Sequence, residues 1–242
     1  MQITEGLEMI DLALYIKDYN AIVIADVHIG FEEALNKQGL LVPRMQFRDQ
    51  IKRLESIIGK KRFQTIVING DLKHEFGTIS GQEWRETLAF LDFLAKHSER
   101  IVLIKGNHDT IIGPIAGKRN IEVADYLVLG DILICHGHKI VKKAVPGIKT
   151  IVIGHQHPAV SIRDGPRSEL FKCFLKGKWK GMVLIAMPSF CLVSEGSDIL
   201  KEELISPYLT RIDSFNVFVA GNKVYDFGRL GNLIQTRKIP PI

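Results

Sequence analysis

Long apolar runs are the first thing this sequence lacks. No stretch reaches the roughly 18 apolar residues that a membrane helix needs, and the longest candidate, GMVLIAMPSFCLV, is broken by Pro188 and Ser189. A basic leader is missing as well. The opening MQITEGLEMIDLALYIKDYN carries acids where an export signal carries lysine or arginine, so a cytoplasmic chain with no membrane contact is expected. Cysteine is scarce: Cys135, Cys173 and Cys191 form no C-x-x-C and cannot all pair with one another. Reduced thiols in a cytosolic protein are the simplest reading, with Cys135 as a small strand residue. No repeat and no low-complexity run occurs.

What is present is enough for a full core. With 242 residues, 46% of them hydrophobic, a single domain spanning 1–242 is expected. The formal net charge is +5 and is unevenly spread. Residues 139–180 hold ten Lys/Arg and two acids, a net of +8. A block like this can attract phosphate or nucleic acid; an ordinary solvated face fits the composition equally well.

Short β-branched runs recur: AIVIAD at 21–26, TIVING at 65–70, IVLIKG at 101–106, DILICHG at 131–137 and TIVIGH at 150–155. Runs of this kind mark strands buried on both faces. Helix patterns separate the first three. Residues 44–58 align Phe47, Ile51, Leu54 and Ile58, and residues 81–97 align Trp84, Leu88, Leu91 and Ala95. Ser80 with Glu83 reads as a capping box opening the second helix. The alternation implies parallel β-α-β units with right-handed crossovers. After residue 120 helices become scarce. A tight turn at Gly130-Asp131 and another at Gly221-Asn222 predict hairpins, hence a mainly antiparallel sheet stacked on the first. The segment 163–180, with Pro166 and Gly177, is expected to be a loop or edge excursion.

Each apolar run ends in chemistry. Asp26 and His28 follow the first, Asp71 the second, and Asn107, His108 and Asp109 the third. His136 and His138 follow the fourth, His155 and His157 the fifth. A lone histidine at a strand end is usually structural, but five strands in a row ending in Asp, Asn or His is a different matter. Carboxyl ends of parallel strands open into one crevice, and imidazole, carboxylate and amide oxygen suit divalent Mn²⁺, Fe²⁺ or Zn²⁺. The count suits two ions. Asp71 stands alone after its strand and can bridge. Asp26 and His28, two apart on extended backbone, would face the same way. Asp26, His28, Asp71 and one histidine of the 155/157 pair fill one site; Asp71, Asn107, His136 and the other fill the second.

The ordered set DVH, GD, GNHD, HG and GHQH, spanning residues 26–157, resembles the calcineurin-like metallophosphoesterases. GDLKHEFG and the compact size look like the small archaeal and bacterial phosphoesterases related to the Mre11 and SbcD nucleases. The resemblance implies an α/β fold, a four-layer αββα sandwich of two stacked mixed sheets flanked by helices. It implies that Asp26, His28, Asp71 and His157 hold one metal, that Asp71, Asn107, His136 and His155 hold the other, and that His108 is catalytic. His108 would stabilise developing charge and protonate the leaving oxygen. His74 matches a histidine that the repair nucleases keep near their metals. His74, Asp109 and His138 are therefore candidates for substrate contact or for support of the ligands. Asp109 could orient His108 or cap the following turn.

The expected activity is dinuclear-metal-dependent hydrolysis of phosphodiester bonds, with DNA or RNA as first substrate. Mn²⁺ is the first choice of ion, ahead of Fe, Zn, Ni or Mg. The competing readings are a small-molecule phosphodiesterase or phosphatase acting on cyclic nucleotides or nucleotide-linked substrates, and an inactive scaffold, which would have lost ligands that this chain keeps. The likeness to repair nucleases also admits a homodimer or a DNA-repair protein as partner.

Overall fold

The computed structural model describes residues 1–77, 79–119, 121–142, 145–164, 166–221 and 223–236. Asn222, half of one expected turn, lies outside them. Among the described residues no helix is long and apolar enough to cross a membrane.

Seven strands build the first sheet, in chain order from edge to edge. β1 (Gln2–Thr4), β2 (Leu7–Ile10) and β3 (Ala13–Ile16) form an antiparallel meander. β4 (Ala21–Ala25), β5 (Phe63–Asn69), β6 (Ser98–Ile104) and β7 (Glu122–Ala124) then run parallel. Their connections carry α1 (Phe31–Lys37), α2 (Gln46–Ile58), α3 (Gly81–His97) and α4 (Gly113–Arg119). Each connection joins neighbouring parallel strands, and right-handed crossovers put all these helices on one face. The meander escapes the sequence reading because its strands have only three or four residues, too few for an alternation to register.

Both long helices bury a stripe rotated from the expected one, with Leu54, Ile58 and Leu91 shared by the expected and observed stripes and Phe47, Ile51, Trp84 and Leu88 packed along its border. In α2 the buried residues are Gln46, Gln50, Leu54, Ile57 and Ile58, while Phe47 and Ile51 are only half-buried. In α3 they are Glu83, Thr87, Phe90, Leu91 and Leu94, and Ala95 is exposed. The cause is the same in both: buried polar side chains at one end of the stripe have partners there. Gln50 Nε2 donates to the carbonyls of Val27 and Phe190, and the Glu83 carboxylate accepts from the amides of His74 and Glu75. Ser80 caps α3 as expected, its Oγ accepting from Glu83 N at 3.0 Å.

The second sheet contains β8 (Tyr126–Leu129), β9 (Ile132–Cys135), β10 (Thr150–Ile153), β11 (Pro158–Asp164) and β12 (Arg167–Trp179). It is completed by β13 (Met182–Ala186), β14 (Ser197–Asp198), β15 (Asn216–Ala220) and β16 (Val224–Arg229). Both expected hairpins form, β8 with β9 and β15 with β16. The centre of this sheet differs from expectation, since β9, β10 and β13 run parallel.

The segment 163–180 is not an excursion. β12 is thirteen residues long and pairs with β11, β13 and β15. Gly177 does not break it but makes room, because a Cβ there would sit 2.1 Å from the Phe215 ring. Pro166 lies in the turn before the strand.

Strand alternation separates two cores. Ile132, Ile134, Val152, Phe174 and Ile185 join the core of the first sheet. Leu133, Cys135, Ile151, Ile153, Cys173 and Leu175 face the other way, onto Tyr208, Leu209, Ile212, Phe215 and Leu230. The fourth layer is therefore mostly the irregular segment 199–215, with α5 (Leu230–Thr236) beside it. Backbone bonds join the sheets at one end: Phe190 N donates to Ala25 O at 2.7 Å and Cys191 N to Asp26 O at 3.0 Å.

Candidate metal centre

The carboxyl ends of β4, β5 and β6 in one sheet, and of β9 and β10 in the other, meet at that same end. The chain does not stay extended as it leaves them. Asp26, His28, Asp71, His155 and His157 have positive φ (54°, 49°, 49°, 66° and 49°), which corrects the extended geometry expected for Asp26 and His28. Left-handed conformations cost a non-glycine residue about 1–3 kcal/mol and persist where surroundings over-determine them. For Asp26, His28 and Asp71 the surroundings are backbone bonds between two loops: Asp26 N to Gly70 O, His28 N to Asp71 O and Ile29 N to Leu72 O, at 3.2, 2.9 and 2.9 Å; His155 N is held by the Asp26 carboxylate.

Two clusters lie on either side of Asp71, and a third group, His28, His74 and His108, brings its ring nitrogens equally close. Asp26, His28 and His157 bring donor atoms within 4.8 Å of one another, and so do Asp71, His136 and His155. Asp71 Oδ2 lies 3.9 Å from His28 Nε2 and 3.3 Å from His136 Nε2, so this carboxylate stands between the clusters. Asn107 Oδ1 is 3.0 Å from His136 Nε2, on the second cluster's side.

Electrostatics fit a cation. Burial pushes the Asp71 carboxyl up, but the hydrogen bond and charge of His136, with His28 and the His108 amide, hold it well below the usual carboxylate range. Burial pushes His136 down, yet Asp71 and Asp26 outweigh this and raise it to about 9. The His136 ring thus serves as counter-ion to Asp71, the role a divalent cation would take over. Its Nδ1 bonds the Asn69 carbonyl at 3.2 Å, which leaves Nε2 facing Asp71 and Asn107. Burial, then neighbouring imidazoles, lower His28, and take His74 and His155 to about 4. Those rings are neutral and keep a lone pair to offer. The cradle is tight too: a Cβ on Gly106 would meet Asp71 Oδ1 at 2.0 Å, and one on Gly70 would meet His136 Nδ1 at 2.1 Å.

His108 lies against the clusters, its amide donating to Asp71 Oδ1 at 2.9 Å and its Nε2 3.9 Å from Asp71 Oδ2. His108 Nδ1 bonds the His74 carbonyl. His74 Nδ1 is 3.4 Å from His28 Nδ1, and its ring stacks on Phe31 at 4.1 Å. Asp109 does not touch the His108 ring. Its carboxylate accepts from Leu72 N (3.1 Å) and Gly106 N (3.0 Å), neither of them in the turn that follows, and so ties the Asp71 and Asn107 loops together. His138 sits with its ring 5.2 Å from that of His136. Sequence reasoning passed over Gln46, which donates to the His28 carbonyl at 2.9 Å, and Phe76, whose ring lies 3.7 Å from that of His108. The glycines before Asp71, Asn107 and His155 were the available signal for the close packing.

The basic block does not form one face. Lys172 is mostly buried, donating to Ser189 O, Ser189 Oγ and Cys191 O, and burial lowers its pKa to about 8. Lys176 donates to Ile3 O. Lys178 and Lys180 are exposed near the end of β12 that pairs with the start of β13, away from the clusters. Exposed Lys105, Lys139 and Lys142 follow strands whose ends bear site residues.

The profile of the calcineurin-like phosphoesterase family matches residues 19–177. Among solved structures, the Pseudomonas putida nuclease MPE superposes with a TM-score of 0.65 at 23% identity, over 91% of this chain and 94% of that one. The E. coli phosphoesterase Yfce gives a TM-score of 0.38 at 15% identity, over 84% and 88%. None of the curated proteins compared with the chain matches it. With the profile covering most of the chain and the sheets arranged as described, this protein belongs to the calcineurin-like phosphoesterases, hydrolases acting on phosphoric esters.

Proposed function

We propose that the protein cleaves phosphodiester bonds in nucleic acid with two divalent metal ions, Mn²⁺ being the ion to try first. The observation that carries this reading is Asp71, a single buried carboxylate standing between two histidine clusters. Asp26, His28, His157 and Asp71 would hold one ion; Asp71, Asn107, His136 and His155 would hold the second. Bound there, the pair would neutralise phosphoryl oxygens and lower the pKa of a water.

The chain's own residues do the rest. His108 is held by its Nδ1 bond to the His74 carbonyl and by the Phe76 ring. Its Nε2 is left to carry a proton to the leaving oxygen. Asp109 keeps the loops bearing Asp71 and Asn107 in register. Nucleic acid is favoured by Lys105, Lys139 and Lys142, exposed on the site edge, and by the nuclease among proteins of similar fold.

A substrate panel with Mn²⁺ tests the reading: bis-p-nitrophenyl phosphate, p-nitrophenyl phosphate, 2′,3′-cyclic AMP, and single-stranded and duplex DNA. The expected result is cleavage of DNA and of the diester faster than the monoester, abolished by chelation. Turnover of the cyclic nucleotide or the monoester without DNA cleavage would replace it with the small-molecule reading. No turnover of any substrate by metal-loaded protein would leave a scaffold.

A further inference from the structure

A cavity of about 730 Å³ opens beside the second cluster, reaching from His136 and His138 to Pro207. Its volume falls in the range of small-molecule sites, roughly 300–1,000 Å³. Its walls are unlike the rest of the site. The metal-facing surface is imidazole, carboxylate and amide, whereas this cavity is lined by Tyr126, Ile140, Val141 and Pro207. Ile140, at 39% exposure, is an exposed large apolar side chain.

The walls are anchored. β8 pairs with β9 so that Tyr126 lies opposite Cys135, the residue before His136. The Tyr208 hydroxyl accepts from Val141 N at 3.0 Å, which fixes the far side. Polar groups lie toward the second cluster and at the rim: among the described residues His138 Nδ1 is buried without a hydrogen-bond partner, and exposed Asp125, Lys139 and Lys142 stand at the rim. A second cavity of about 400 Å³ shares Asp125, His138 and Lys139 with the first and leads on to Lys105.

We propose that this cavity is a base-binding subsite, taking the nucleobase of the nucleotide on one side of the scissile phosphate. The inference rests on the phosphodiesterase reading and names what that site recognises. A planar heteroaromatic ring would cover Tyr126, Ile140, Val141 and Pro207 and offer ring nitrogens to His138. The phosphates flanking the base would meet Lys139, Lys142 and Lys105. A sugar phosphate without a base would leave the apolar wall wet, because it has no surface to bury there.

The test is calorimetric titration of the Mn²⁺-loaded protein with AMP, CMP and ribose 5-phosphate. The tighter of the two nucleotides is expected to bind at least tenfold more strongly than ribose 5-phosphate. In Ile140→Glu, which puts a charge at an exposed position of the wall, that advantage should fall below twofold. Tyr126→Ala should reduce it independently. Equal affinities for nucleotides and ribose 5-phosphate in the native protein, or an advantage untouched by both substitutions, would overturn the subsite. Hydrolysis of bis-p-nitrophenyl phosphate by the same preparation reports on the phosphodiesterase reading separately, since binding of the base needs no turnover.

Discussion

Asp71 makes the sharpest demand of any single residue. A carboxylate between two clusters can share negative charge with both, and a neutral amide cannot. Asp71→Asn should abolish activity and reduce bound metal from two ions toward one or none, measured by metal analysis after gel filtration. Two tightly held ions in that variant would remove Asp71 from its bridging role. Asn107 and His108 are neighbours in sequence and should fail differently. Asn107 Oδ1 faces His136 Nε2, so Asn107→Ala should lose metal from the second cluster and recover partly in excess Mn²⁺. His108→Ala should keep both ions and lose about 10²- to 10⁴-fold in rate. That loss should be smaller for a p-nitrophenyl ester, whose leaving oxygen needs little protonation, than for DNA. Metal loss from His108→Ala would mean that the ring is a ligand. The residues gathered here were legible in the sequence because each closes an apolar run, and strand ends are local in sequence. The left-handed backbone of Asp26, His28 and Asp71 was not legible, since it goes with bonds between the 26–29 and 70–72 loops that no single segment displays.

At the scale of the element, β12 departs furthest from its sequence. Lysines, a proline and a glycine in 163–180 look like loop chemistry. The strand tolerates them because Pro166 precedes it, Lys172 finds three buried oxygens and Gly177 gives way to Phe215. Gly177→Ala should therefore destabilise the fold by about 1–3 kcal/mol, the usual cost of overpacking, seen as a lower urea midpoint with unchanged slope. A neutral result would mean that Phe215 moves aside freely. The same strand revises where nucleic acid should be felt. Lys178→Ala with Lys180→Ala should leave the salt dependence of DNA binding unchanged. Lys105→Ala, Lys139→Ala and Lys142→Ala together should flatten it, by about 0.9 in log–log slope for each phosphate that is no longer neutralised. The reverse pattern would put the strand back at the interface. α3 teaches a related point: Glu83 and Thr87 lie in its buried stripe beside Leu91, Trp84 and Leu88, which pack on the core as expected, so a hydrophobic pattern alone misses the polar half of the buried face.

Over the whole molecule, alkaline stability follows from buried thiols and a buried phenol. Burial raises the Cys135 thiol to about 11, and raises Cys173, Cys191 and Tyr208 as well. An acid whose folded pKa exceeds its unfolded value stabilises fully below the unfolded pKa and loses that contribution as pH rises toward the folded one. Lys172 acts in the opposite sense, adding stability from about 8 toward its ordinary 10.5, but it is one group against several. The melting temperature should therefore fall between about pH 9 and 11. Lys172→Met should fall more steeply, and a flat profile in both would show that the thiols titrate as if exposed. The fourth layer was the least legible part of the chain, because segment 199–215 has neither a helical nor a strand period and is held by what it covers. The seam between the sheets has a consequence for synthesis on the ribosome. Asp26, His28, Asp71 and Asn107 emerge early and belong to a sheet that pairs in chain order, whereas His155 and His157 emerge some fifty residues after Asn107. A domain folds as a unit, so the carboxylates and histidine of the first sheet are uncovered on the nascent chain until the second sheet can close over them. Under the proposed two-metal reading, a cation captured during that interval would be met by half a coordination shell, and the full ligand set would exist only once the later histidines arrive.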